Sequence, residues 1–407
     1  MATARKTLFA VADQLVVSGS NFLTLVLVAR KLGPDGAARY IYAFSLIVLL
    51  SMLASAMIYQ NMAADRAKGE LDNVEGGKYK HLNAVMSMVS VPICMTVYML
   101  ISADRGLFPF WESIWAALFI CATQAVDYHR RASYFSGVDA PEWRPLLVSF
   151  ILYIPRLLGL IASNPGGVLE VFQWQFLLTM PGLVYFSRDL SCFQMRVSGD
   201  FYMERIQRGR WLLTTVPINW IWGQGPVFIL ALAHGNHVAG IFAAVRGVTN
   251  FANVAMEMIP THVTAVMSSK KACAESDAGY YSSVRRLLGF GIALWLAGLL
   301  VVFLLGERLL LFILGPDYGA ERQTLGVLWS ASLFVFFSRL QSMHVNLTGI
   351  NKVIPVSFVS GIMVLCLSFW LMHSMAQMGM AISLLIGWIS IVVIGEILRR
   401  HWEVSGA

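Results

Sequence analysis

Long apolar windows, separated by short polar stretches, follow one another along the whole chain. Each window holds about 20 residues, which as a helix rising about 1.5 Å per residue crosses a hydrocarbon layer of roughly 30 Å. Backbone groups inside a bilayer must be satisfied within their own segment, so the windows are predicted to be helices. Two prolines, Pro217 and Pro226, predict a kink in the seventh predicted helix. The twelve predicted helices are 8–31, 37–60, 81–102, 112–135, 144–163, 168–187, 211–233, 237–268, 284–305, 322–346, 353–374 and 378–398.

Composition and charge exclude a soluble protein. The 407 residues are 57% hydrophobic and 13% charged, whereas an ordinary soluble domain is about 25% charged. Most Lys and Arg residues fall in alternate loops, and the positive-inside rule then places both termini in the cytoplasm. Insertion topology and anionic membrane lipids account for the net charge of +7, so no nucleic acid partner is predicted.

The chain also repeats itself weakly at an offset of 202 residues. Small and aromatic residues then align in pairs: Gly33 with Gly235, Ala37 with Ala239, and Tyr40 with Phe242. Because each repeat contains an even number of helices, six, the second repeat enters the membrane from the same side as the first. Both halves therefore have the same orientation and are related by an axis along the membrane normal. We therefore predict an all-α polytopic membrane protein, with about twelve transmembrane helices in two six-helix bundles related by pseudo-two-fold symmetry. The predicted parts are an N-terminal bundle (1–190), a cytoplasmic linker (191–210) and a C-terminal bundle (211–407).

The eighth predicted helix carries a polar face. Arg246, Asn250, Asn253 and Glu257 recur about one turn apart, so they share one side of the helix. A charged side chain within a span costs about 2.5 to 3.5 kcal/mol on insertion scales, so it normally faces a bundle interior or a wet cavity. Two interpretations stay open, namely a face that lines a substrate cavity and a face that joins neighbouring helices.

Three further arginines are candidates for substrate binding. Arg156 lies near the middle of the fifth helix, where a guanidinium could hold a diphosphate by paired hydrogen bonds. Its alternative role is an ion pair with a carboxylate on another helix. Arg339 lies in the inner third of the tenth helix and Arg30 at the outer end of the first, so both could instead reach the lipid headgroups.

Uncharged polar residues mark the first and seventh helices, which are equivalent in the repeat. Gln14 and Asn21 share one face of the first helix, and Asn219 and Trp222 lie close together on the seventh. Amides and a flat aromatic ring suit sugar hydroxyls and sugar faces. Close packing of helices is the equal alternative.

Acidic residues within spans are candidates for ion or proton coupling. Asp13, Asp127 and Glu257 could each switch between a charged and a protonated form if buried alone. The alternative is pairing, in particular of Asp127 with Arg131 one turn later. No metal-ligand spacing, cofactor motif or phosphate-binding Gly-rich loop is found in the sequence, and the loops are too short for an active site, so no enzyme is predicted.

Two stretches resemble a known family. The first runs from Asp13-Gln-Leu-Val-Val-Ser-Gly-Ser-Asn-Phe-Leu23 through Ala29-Arg-Lys-Leu-Gly-Pro34 to Tyr40, and the second is Leu314-Gly-Pro-Asp-Tyr318. They resemble the first helix pair and an outer loop of the polysaccharide and O-antigen flippases. These flippases belong to the multidrug/oligosaccharidyl-lipid/polysaccharide exporter superfamily.

The resemblance implies a bacterial inner-membrane flippase for an undecaprenyl-diphosphate-linked oligosaccharide, with alternating access through a cationic central cavity. Its partners would be that lipid-linked glycan, membrane lipids, and polysaccharide polymerase and export machinery. An ion-coupled multidrug or small-molecule antiporter of the same superfamily is the alternative, although arginines within spans favour an anion. A membrane polymerase or glycosyltransferase would need a large extramembrane loop, which the sequence does not contain.

Overall fold

The protein is built from long, apolar helices. The computed structural model describes residues 2–68, 73–102, 109–135, 143–187, 197–272, 277–348 and 353–404, and every regular element in these ranges is helical. Six of the described helices are long and apolar enough to cross a membrane, and three of the six contain a bend that joins two spans. The chain is therefore a multi-pass membrane protein, as predicted.

The chain divides into two compact units, of which unit 1 is Met1–Trp220. Within it α3 packs on α4, α4 on α6, and α1 on α5. An aromatic core holds these helices together, since the Phe172 ring stacks between Tyr40 and Phe119 at centroid distances of 6.5 and 6.0 Å. The elements are α1 (Ala2–Ala54), a π-helical turn (Ser55–Tyr59), α2 (Gln60–Lys68), α3 (Asn73–Ser102), α4 (Phe110–Ala132), a 3-10 turn (Ser133–Phe135), α5 (Arg144–Ser163), α6 (Val168–Ser187) and the start of α7 (Gly199–Ala272).

Unit 2 is Ile221–Ala407. In addition to the remainder of α7, it contains α8 (Asp277–Ile313), a 3-10 turn (Pro316–Glu321), α9 (Arg322–Thr348) and α10 (Val353–Val404). Here α9 packs along both α8 and α10. The indole N–H groups of Trp295 and Trp329 each donate to the backbone carbonyl of the other residue, at 3.0 and 3.1 Å, which ties α8 to α9.

Three helices bend where the sequence predicted a break between two spans. The backbone leaves the helical region at Gly33 in α1, at Gly235 in α7 and at Ala376 in α10. With these bends, and with α2 counted as the continuation of α1 through the π-helical turn, the described ranges hold twelve helical segments, in agreement with the predicted number. In α7 the torsion angles are helical at Pro217 and Pro226 and leave the helical region at Gly235, which lies in the predicted break between the seventh and eighth spans. The proline kink in the seventh span stays a prediction.

The start of α7 is anchored on unit 1. Arg205 and Arg208 both bind the buried Asp65 carboxylate, at 3.1 and 2.9 Å. A close backbone approach accompanies these ion pairs, since a Cβ added at Gly209 would lie 2.5 Å from the carbonyl oxygen of Ala56 in the π-helical turn. The described part of the predicted cytoplasmic linker therefore packs with unit 1.

Candidate functional site

A buried ionic network lies in the interior of unit 1. The Arg130 guanidinium donates to Asp13 of α1 at 2.6 Å and to Asp127, one turn earlier in α4, at 2.7 Å. Arg131 donates to the second oxygen of Asp127, also at 2.7 Å. Two carboxylates are thus balanced by two guanidiniums, and the pairing predicted as the alternative for Asp127 and Arg131 is present.

Neighbouring hydroxyl groups complete this network. Asp13 also accepts hydrogen bonds from Tyr134, at 2.6 Å, and from Ser149 of α5. Arg131 donates to Ser51 of α1 at 2.5 Å. The network therefore joins α1, α4 and α5. The central member, Arg130, could not be identified from the sequence, because its partner Asp13 lies 117 residues away and Arg130 itself lies in a basic pair at a helix end.

Arg156 occupies a different environment in the same unit. Only 5% of it is exposed, and its Nε donates to the Gln175 side-chain carbonyl at 2.7 Å. The guanidinium lies 4.9 Å from the ring centroid of Phe119 and 5.3 Å from that of Tyr153. No carboxylate in the described ranges binds it, so an amide and two aromatic faces replace the ion pair considered as its alternative role.

Another buried carboxylate within the described spans of unit 1 is also paired. Glu112, at the start of α4, accepts from Arg39 of α1 at 3.2 Å and from the Tyr98 hydroxyl of α3 at 2.5 Å. Together with Asp13 and Asp127, it is a buried carboxylate whose charge an arginine balances. Within the described spans of this unit, Arg156 is the buried guanidinium without such a partner, and an excess of positive charge results.

The polar face of α7 contains a second arginine without an acidic partner. Arg246 is partly buried, and in the described part of the chain no hydrogen bond or ion pair holds its guanidinium. Asn250, about one turn further, is exposed, and Asn253 is partly buried with its Oδ1 atom lacking a donor. The side chain of Glu257 lies outside the described residues. The three described members are helical throughout, so they share a face as predicted.

The polar residues predicted in α1 are accessible in part. Gln14 is exposed, and its amide donates to Ser18 one turn later at 3.0 Å. Asn21 is partly buried on the same face, and Arg30 is exposed near the bend at Gly33. Gln14, Ser18 and Asn21 thus lie on one polar face of α1.

The candidates in the later helices are more dispersed. Asn219 is exposed on α7, close to the end of unit 1. Trp222 packs edge-on against Trp388 of α10, with ring centroids 5.3 Å apart, and its buried indole N–H has no acceptor within the described ranges. Arg339 is exposed on α9. The structure therefore groups Asp13 with Asp127 in unit 1 and aligns Arg246 with both asparagines in unit 2, and it groups neither Arg30 nor Arg339 with these sets.

Comparison with known proteins shows which fold this is. No protein-family model and no curated protein matches the sequence. Among solved structures, the chain is similar to the lipid II flippase MurJ in an inward closed conformation (TM-score 0.74, 13% identity, 97% of this chain and 87% of that one). It is also similar to an inward-facing multidrug resistance MATE family transporter of the MOP superfamily (TM-score 0.71, 14% identity, 95% and 94%).

A third similar structure is a MOP superfamily transporter from Pyrococcus furiosus whose binding pocket is described as having reverse polarity (TM-score 0.62, 12% identity, 98% of this chain and 95% of that one). At these identities the similarity establishes a shared fold. The chain thus has the fold of the MATE and MurJ transporters, which agrees with the predicted all-α, two-bundle class of twelve helices.

Proposed function

We propose that this protein is a flippase that moves an undecaprenyl-diphosphate-linked oligosaccharide from the inner to the outer leaflet of a bacterial inner membrane, for polysaccharide assembly. Both termini lie in the cytoplasm in this proposal, and access alternates between the two sides. The support is threefold: a fold shared with transporters, one of them named a lipid II flippase, the family resemblance of the first helix pair, and the distribution of charge within the spans.

The observation that carries the proposal is Arg246, a partly buried guanidinium in α7 without an acidic partner in the described part of the chain. A charge at such a depth is costly unless an opposite charge or water meets it. A guanidinium stays protonated and donates paired hydrogen bonds to phosphate oxygens. A diphosphate group would therefore supply the negative charge that no described residue brings to this guanidinium. Arg156, in unit 1, is proposed as a further phosphate contact.

Two uncharged groups of α7, one on each side of the bend at Gly235, suit the sugar part of the substrate. The Asn253 Oδ1 atom and the Trp222 indole N–H are an acceptor and a donor without partners among the described residues. Buried polar atoms are normally hydrogen-bonded, so each has a place for a ligand group. Asn250, Asn219, Gln14 and Asn21 are proposed as further hydroxyl-binding groups, with Arg30 and Arg339 as phosphate contacts.

The alternative is an ion-coupled multidrug or small-molecule antiporter, because multidrug transporters share the fold. A transporter of cationic compounds requires a carboxylate available to the substrate. Asp13 and Asp127 are each bound to arginine in this conformation, and this charge balance favours the anionic substrate. Asp13, Asp127 and Glu257 are proposed as ion-coupling groups in either case. A conformational change that withdraws Arg130 would free Asp13, whereas Asp127 would also have to lose Arg131.

Catalysis is not part of the proposal. Within the described ranges no group of three or more His, Cys, Asp and Glu side chains could hold a metal ion. The proposed work is translocation down a gradient of substrate or of an ion, and polymerase and export proteins would use the product.

The test is a complementation assay in a strain from which the gene has been deleted. Labelled lipid-linked glycan should accumulate on the inner leaflet, and the wild-type gene should restore its translocation. We expect Arg246→Ala to fail, whereas Arg308→Ala, which removes an exposed arginine of α8, should restore it fully. Equal membrane insertion of the two variants is the control. Full restoration by Arg246→Ala would contradict the role of this residue, and restored drug resistance without glycan translocation would favour the antiporter.

A further inference from the structure

A groove on unit 1 lies between α3, α4 and α6 and shares no residue with the sites described above. Its cavity volume is about 420 Å³. The α4 side is formed by small residues, including Ala122 and Ala125, and the α6 side by Phe176 and Met180. Met88 of α3, which is 60% exposed, lies at its edge. The groove is therefore open on the outer surface of these helices.

The groove is polar at one end and apolar at the other. Along α3, the lining residues in order are Lys80, Asn83, Ala84, Ser87, Met88 and Val91. Val91 lies eleven positions beyond Lys80, which is about 16 Å of helix. This length is about half of a hydrocarbon core of roughly 30 Å, or one leaflet. The sequence of charge, amide, hydroxyl and hydrocarbon follows the order of phosphate, ester and acyl chain in a glycerophospholipid.

Two observations at the polar end indicate what is bound. Lys80 lines the groove together with His129, and no carboxylate is among the described lining residues, so this end carries positive charge. Ser87 is 6% exposed, and its hydroxyl has no hydrogen-bond partner in the described ranges. A buried hydroxyl is normally hydrogen-bonded, and an ester carbonyl at this depth would meet it.

We infer that this groove binds one acyl chain of an anionic glycerophospholipid from the leaflet next to Lys80. The phosphate lies against Lys80, the ester group against Asn83 and Ser87, and the chain runs over Ala122 toward Val91. An isoprenoid diphosphate has the same charge but no ester carbonyl, so the amide and the hydroxyl favour the glycerophospholipid. The inference is independent of the substrate proposed above, because it concerns a bound lipid on the side of unit 1.

Native mass spectrometry of the full chain tests this inference. The protein is released from micelles that contain equal amounts of phosphatidylglycerol and phosphatidylcholine, and bound lipid is counted by mass. One phosphatidylglycerol should be retained in preference to phosphatidylcholine. Lys80→Gln should lower its retention about fivefold, the effect of about 1 kcal/mol for one basic residue at an anionic lipid. Lys31→Gln, a basic residue on another helix of unit 1, should leave it unchanged.

Filling the groove gives a second, charge-independent test. Ala84→Phe and Ala125→Phe each add a ring to a partly buried lining position and should displace the lipid. Leu158→Phe, at an exposed position of α5, should not, and unfolding temperatures show whether the variants fold. Equal retention of the two lipids, no effect of Lys80→Gln, or retention in both groove-filled variants would overturn the inference. Displacement of phosphatidylglycerol by an undecaprenyl diphosphate would also overturn it, as would the mass of a dimer that carries no lipid.

Discussion

Gly33 and Gly235, which lie 202 residues apart, adopt the same backbone conformation. Their torsion angles are φ 68°, ψ −170° and φ 84°, ψ 173°. Glycine is essentially the only residue found in this region, because a Cβ atom would clash with the backbone. Each glycine bends a long helix between two spans, so the repeat seen in the sequence is also a repeat of the backbone.

Substitution of either glycine should destabilise its unit without a clash with any more distant part of the chain. Beyond its local backbone, a Cβ built at Gly33 or Gly235 meets no atom within 4 Å, so the expected loss of about 1–3 kcal/mol comes from backbone strain at the residue itself. Thermal unfolding of Gly33→Ala and Gly235→Ala in detergent should show this loss. Gly223→Ala is the matched control, since Gly223 also has free space but lies in regular helix, and alanine should be neutral or stabilising there.

At the third bend, which lies at Ala376, a substitution should instead increase stability. Ala376 has φ 43° and ψ −122°, a conformation that disfavours a side chain. Ala376→Gly should therefore stabilise the protein by about 1 kcal/mol and raise the unfolding temperature. Ala381→Gly, at a buried and helical position of the same helix, should lower it. If both substitutions shift the unfolding temperature in the same direction, the strain at Ala376 is contradicted.

The spans could be predicted from the sequence because hydrophobic length is a local property. The predicted helices 144–163 and 168–187 have the bounds of α5 and α6, and the predicted breaks contain the three bends. The polar partners could not be predicted in the same way. Asp13 and Arg130 meet through the packing of α1 against α4, and the Gln175 amide reaches Arg156 from another helix. Helical periodicity shows which residues share a face of one helix, but it does not show which residues of another helix lie against that face.

The ionic network should be strongly coupled. Asp13→Asn removes a charge that Arg130 balances, and Arg130→Gln leaves the charge of Asp13 buried, which typically costs about 3–5 kcal/mol. The double variant should recover much of this loss, because neither charge is then left alone. A double-mutant cycle on unfolding free energies measures the coupling. The pair of Glu75 and Lys78, which is partly exposed, is the control and should couple by less than about 1 kcal/mol. Additive effects of Asp13→Asn and Arg130→Gln would show that the network contributes little.

Arg130 and Arg156, two buried arginines within the spans of unit 1, should differ in how much they contribute to stability. Arg130→Met leaves two buried carboxylates short of a counter-charge, whereas Arg156→Met leaves only the Gln175 carbonyl without its donor. The loss of stability should therefore be about 3–5 kcal/mol for Arg130→Met and about 1–3 kcal/mol for Arg156→Met.

Transport measurements should further distinguish the role of Arg156 from that of Arg130. If Arg156 contacts the diphosphate of the substrate, Arg156→Met should reduce glycan translocation even in protein that is folded and inserted, since a methionine cannot neutralise phosphate. Arg156→Lys keeps the charge but not the paired donors, so it should retain an intermediate rate. The measurement is translocation per inserted molecule in reconstituted vesicles, with unfolding temperatures recorded for each variant. Translocation by Arg156→Met at the wild-type rate would assign this arginine to packing with Phe119 and Tyr153, and Arg246 would remain as the principal cationic contact.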